Sequence, residues 1–147
     1  MFRKILVPID GSNEAIKAVK VALEIAEKFG SSITLFHVAQ LAYDYSGMGH
    51  LPELSNGVIK AMEEEWAKAG KVILETASKE LDSADIEVAV ELEQGNAARE
   101  IVYKAEKGKF DLIVMGSRGL GGISATVMGS VSSQVTRTSA CPVLVTR

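Results

Sequence analysis

The chain has 147 residues, 47% of them hydrophobic and 24% charged, which fits one globular domain spanning 1–147 and excludes a disordered chain. Sixteen Lys and Arg against nineteen Asp and Glu give a net charge of −3, without the basic surplus of a general nucleic-acid binder. A single cysteine, Cys141, excludes an internal disulfide framework. The opening MFRKILVPID holds too short an apolar run for a signal peptide, and no stretch approaches the roughly 20 apolar residues of a membrane span. A cytoplasmic location is the expectation.

Ile5 to Ile9 is short, rich in β-branched residues and bounded by Asp10-Gly11-Ser12. It reads as a strand buried on both faces and followed by a tight turn. Ser12 is an N-cap candidate for a helix whose apolar stripe is Ala15, Val19, Ala22 and Ala26, and Gly30 is its stop. Ile33 to Val38 reads as a second strand, with His37 packed inside it. An irregular segment, 39–52, carries Tyr43, Tyr45, Met48 and His50. The spacing of Met62, Trp66, Ile73, Ala77 and Leu81 then predicts a long amphipathic helix over Glu53 to Leu81, weakened at Gly57 and Gly70.

From Ile86 to Glu93, apolar residues alternate with Glu87, Ala89, Glu91 and Glu93, the pattern of a strand with one polar face at a sheet edge. Gly95-Asn96 opens a third helix through Ala105, and Gly108 closes it. Phe110 to Met115 is apolar almost throughout after Asp111, which places that strand centrally. A short helix from Ser130 to Thr138 precedes a last strand, Pro142 to Val145, where proline suits an edge. Cys141, at its entry, reads as a small buried hydrophobe. Alternation of this kind makes an α/β fold with an open, doubly wound parallel sheet of five strands and helices on both faces. Ligands of such sheets bind beyond the carboxyl ends of the strands, where strand order switches.

Five of the thirteen glycines fall between positions 116 and 129, at the carboxyl end of the fourth strand. Glycine lets backbone N–H groups converge on an anion, and a helix start at Ser130 adds unpaired N–H groups and the positive end of the dipole. The hydroxyls of Ser130 and Ser132 are further candidate donors, and Arg118 brings a positive charge. Gly116 and Gly121 have the spacing of a Walker A loop, but Gly122-Ile123 stands where Lys-Ser/Thr is required. The first turn holds one glycine, so the dinucleotide fingerprint is absent as well.

Gly116, Gly119 and Gly129-Ser130 do fit the G-x2-G-x9-G-[ST] spacing of the nucleotide-binding branch of the universal stress protein family. With KILVPIDGS, FHV, DLIVMGSRGLGG and CPVLVTR, the chain resembles that family from end to end. The resemblance implies a Rossmann-like sheet of order 3-2-1-4-5 and an ATP site between strands one and four, open also to AMP or ADP. It implies Asp10 near the adenosine portion and the Val38 backbone at the adenine edge. Gly116, Arg118 and Gly119 fall along the ribose and phosphates, and Gly129, Ser130, Val131 and Ser132 hold the phosphates. Pro8, Ile9 and Met115 are pocket walls. Mg²⁺ or Mn²⁺ can accompany the triphosphate, although the sequence offers no dedicated metal cage. The resemblance further implies a homodimer through the C-terminal strand, Val143, Leu144 and Val145.

Asp10 is the one acid that the sequence places at the pocket, and no catalytic triad is legible. The expectation is an ATP-binding regulatory protein of the stress response, with slow hydrolysis at most. Its output would be a nucleotide-dependent change in 117–128 or 39–52, read by a protein partner. An ATPase or nucleotidyl-transfer enzyme, and a dimeric interaction module with another ligand or none, remain open alternatives.

Overall fold

The structure, a computed structural model, describes residues 1–40, 56–118 and 127–147. Tyr43, Tyr45, Met48, His50, Gly119, Gly121 and Gly122 lie outside the described residues. So does most of the two segments expected to respond to nucleotide.

Strands β1 (Lys4–Pro8), β2 (Ser32–Ala39), β3 (Val88–Gln94), β4 (Leu112–Gly116) and β5 (Val143–Thr146) form one parallel sheet in the order β3-β2-β1-β4-β5. Helices α1 (Asn13–Phe29), α2 (Asn56–Ser78), α3 (Ala97–Lys107) and α4 (Ser130–Thr138) alternate with the strands. The expected doubly wound sheet is therefore the one observed. No helix among the described residues is long and apolar enough to cross a membrane.

Alternation along the central strands decides which helix each side chain meets. Ile5, Val7, Leu112 and Val114 face α1 and α2, in a core with Ala18, Val19, Ala22, Leu74 and Ala77. Leu6, Ile113 and Met115 face the other way, onto Ala98, Ile101, Ala105 and Val135 of α3 and α4. Both faces are covered, so β1 and β4 read as unbroken apolar runs.

The helix ends follow their residues closely. Ser12 Oγ accepts the Ala15 N–H at 3.1 Å, and Gly30 closes α1 in the left-handed conformation with φ 66°. Asn96 caps α3 by accepting the Arg99 N–H at 3.1 Å.

Several boundaries differ from the sequence expectation. Strand β3 starts at Val88 rather than Ile86, although Ile86 still packs on the first core. Phe110 is buried but precedes β4, where Asp111 turns aside to accept the N–H groups of Arg3 and Lys4 at 2.8 and 2.9 Å. The buried seam of the long helix is Gly70, Leu74 and Ala77, continued by Leu81 in a short 3₁₀ turn, rather than a stripe through Met62 and Trp66. Cys141 is half-buried against the second core.

Candidate functional site

Strand order switches between β1 and β4, because β1 leads outward to β2 while β4 leads to β5. The two chains diverge there and leave a crevice. It holds a cavity of about 810 Å³, a size suited to a small-molecule ligand.

Pro8, Ile9 and Asp10 line it from the end of β1, and Val38 from the end of β2. Met115, Gly116 and Arg118 line it from the end of β4, and Gly129, Ser130, Val131 and Ser132 from the start of α4. Every described residue singled out for the pocket lines this one cavity, and Gly119 lies outside the described residues.

Three local geometries shape its polar groups. At the first turn, Asp10 Oδ1 accepts the Ser12 N–H at 3.0 Å, which fixes the carboxylate over the start of α1. Gly11 between them has φ +87°, a conformation that a side chain disfavours.

At the second strand, Ile9 N–H donates to Phe36 O at 2.9 Å, so the main-chain groups of Phe36 point toward β1. Those of Val38 point the same way two residues later. The paired register of β1 and β2 ends at Pro8 and Phe36, so the Val38 peptide groups stand past the last rung, at the cavity.

At the last helix, the N-cap is Gly129, which has no side chain to cap with. Its own N–H donates to Ser117 O at 2.7 Å, and the first helical bond is Ser133 N–H to Gly129 O at 2.9 Å. The N–H groups of Ser130, Val131 and Ser132 have no acceptor within the helix. Together with the dipole they make an anion-attracting end. The buried Ser132 hydroxyl does not add a donor, because it gives its proton to Ser117 O at 2.8 Å, with Gly129 O at 3.1 Å. It ties α4 to β4, and only the backbone N–H of Ser132 is left for a ligand.

Sequence reasoning missed part of the wall. Trp66, Ala69 and Ile73 of α2 line the cavity, as do Phe36, Ala97 and Ile101. Their periodicity is the only signal, and it does not separate a ligand wall from a core, since both are apolar. His37 lines the cavity too, with Nδ1 2.7 Å from Ile9 O.

The sequence model of the universal stress protein family matches residues 1–147. Universal stress protein YxiE of Bacillus subtilis is 34% identical over 151 residues, covering 100% of each chain. Among solved structures, hypothetical protein MJ0577 superposes with a TM-score of 0.84 at 27% identity, over 99% of this chain and 96% of that one. A universal stress protein family protein from Arabidopsis thaliana, solved with AMP bound, has a TM-score of 0.68 at 19% identity, over 97% and 90% of the two chains. That last likeness is one of fold alone. With the family model matched from the first residue to the last, the chain belongs to the universal stress protein family.

Proposed function

We propose that the protein binds an adenine nucleotide in the cavity between β1 and β4, and that the bound nucleotide sets its interaction with a partner in a stress response. The ligand is ATP, with ADP or AMP as the other adenine nucleotides the same groups accept. One observation carries the reading: main-chain groups without helix or ladder partners stand at two ends of one cavity. The Val38 peptide lies past the last rung of β1 and β2, and three N–H groups open α4. The first suits the hydrogen-bonding edge of a base, and the second suits phosphate. The Arabidopsis protein of the same fold was solved with AMP bound.

In this reading the adenine edge meets Val38, and Asp10 accepts from the adenosine portion. Pro8, Ile9 and Met115 pack on the apolar surface. Gly116, Arg118 and Gly119 follow the ribose and phosphates past Gly129 to the N–H groups of Ser130, Val131 and Ser132. Among the described residues no group of three His, Cys, Asp or Glu side chains stands ready to hold a metal. In this reading Mg²⁺ or Mn²⁺ enters on the triphosphate. Asp10 is the one carboxylate lining the cavity among the described residues, and it already accepts the Ser12 N–H. This favours binding, with slow hydrolysis at most, over turnover.

Trp66 is the only tryptophan and lines the cavity. Titration with AMP, or with ATP and Mg²⁺, is expected to change its fluorescence saturably. Emission that stays constant up to millimolar nucleotide counts against the reading.

The same proposal includes a homodimer. The outer edge of β5 carries Val143, Leu144 and Val145, and pairing with a second copy covers it. Light scattering at micromolar concentration is expected to give twice 15.7 kDa. A monomer mass contradicts the dimer.

A further inference from the structure

We infer that His37 is a positioning residue that keeps the Val38 peptide N–H available to a ligand by occupying the carbonyl that would otherwise claim it. The inference rests on the adenine-nucleotide reading for what the N–H meets, but its geometry is independent of that reading.

Strands β1 and β2 pair in register from Lys4 and Ser32 to Pro8 and Phe36. One bond continues beyond, from Ile9 N–H to Phe36 O at 2.9 Å. In a parallel ladder the next rung would run from Val38 N–H to Ile9 O. At that carbonyl stands instead the imidazole of His37, with Nδ1 at 2.7 Å. A carbonyl oxygen only accepts, so Nδ1 carries the proton and donates. The side chain thus replaces the main-chain donor. The Ile9 carbonyl is satisfied, the ladder stops one rung early, and the Val38 N–H is left facing the cavity.

The ring is held in place from above. A Cβ on residue 70 of α2 would lie 2.7 Å from His37 Cδ2 and 3.2 Å from Nε2. Only glycine lets the helix close over the imidazole at this distance. Helix α2 therefore presses the ring onto β2 while Nδ1 reaches the turn that carries Asp10. Three features of the sequence that have no other common purpose meet here: a polar residue inside an apolar strand, a glycine inside a helix, and a ladder that ends early.

The test uses three substitutions. His37→Asn keeps an N–H donor near the position of Nδ1, whereas His37→Gln carries its amide nearer the position of Nε2, and His37→Leu has no donor. Calorimetry with AMP is expected to leave His37→Asn within about threefold of the parent protein and to weaken His37→Gln and His37→Leu by about tenfold or more. Amide hydrogen exchange without nucleotide gives a second readout. The Val38 amide should exchange readily in the parent and in His37→Asn, and be protected in His37→Gln, where the ladder closes on Ile9 O. Equal AMP affinity in all variants, or equal losses in His37→Asn and His37→Gln, overturns the inference. If the parent fails to bind AMP, the functional reading falls. The exchange at Val38 then decides the role of His37 by itself, with unchanged protection in His37→Gln overturning it.

Discussion

Ser130→Asp is expected to weaken nucleotide binding by about ten- to a hundredfold while leaving the ligand-free protein as stable as before, or slightly more so. Ser130 is the exposed first residue of α4 and lines the cavity. A carboxylate there stands where a phosphate is proposed, and like charges at a few ångströms in a half-screened site oppose each other by about 1–3 kcal/mol. The same carboxylate suits the positive end of the helix in the absence of ligand, a gain of about 0.3–1 kcal/mol. Thermal melts with and without AMP read both effects together. The parent should gain more from nucleotide than the variant, although the variant starts from an equal or higher midpoint. A variant that binds as well as the parent would remove phosphate from the start of α4.

Gly116→Val is expected to lower stability by about 2–3 kcal/mol, a fall of about 4–12 °C in the midpoint for a chain of this size. Local propensity points the other way, because valine is a better strand residue than glycine. Packing decides the sign. A Cβ at position 116 would lie 2.9 Å from Glu14 Cβ, 3.0 Å from Glu14 C and 3.2 Å from Ala15 N. Two of those are main-chain atoms of α1, which is fixed by the Ser12 cap and by Ala15 in the core. The strand can move away only by disturbing the register of β4 with β5, where Gly116 pairs with Thr146. Denaturant unfolding measures the loss, and an unchanged midpoint would show that α1 yields at no cost.

Gly116 also marks the boundary of what the sequence conveys. Its place in a spaced motif suggests contact with a ligand. Its environment adds that α1 approaches β4 too closely for any side chain. The strands themselves were legible wherever one physical cause dominated. Burial on both faces makes Ile5 to Val7 and Leu112 to Met115 continuous apolar runs. An edge position leaves the glutamates of β3 alternating with apolar residues. Caps at Ser12, Gly30 and Asn96 fixed helix ends through single hydrogen bonds.

Legibility failed where two causes write the same pattern. Trp66, Ala69 and Ile73 follow helical spacing whether they cover a core or a ligand. Gly70 reads as a weak point in α2 until the imidazole beneath it is seen. Ser132 reads as a phosphate donor, although its hydroxyl proton is turned inward to Ser117 O. His37 reads as packing, because nothing in a sequence reports that a ladder ends one rung early.

The most direct test is a calorimetric titration of the protein, freed of co-purified nucleotide, with ATP in the presence of Mg²⁺. The account predicts saturable binding at one site per chain, competed by AMP and weakened in Ser130→Asp. Absence of binding at millimolar ATP, with folded protein and an intact Val38 site, would contradict it.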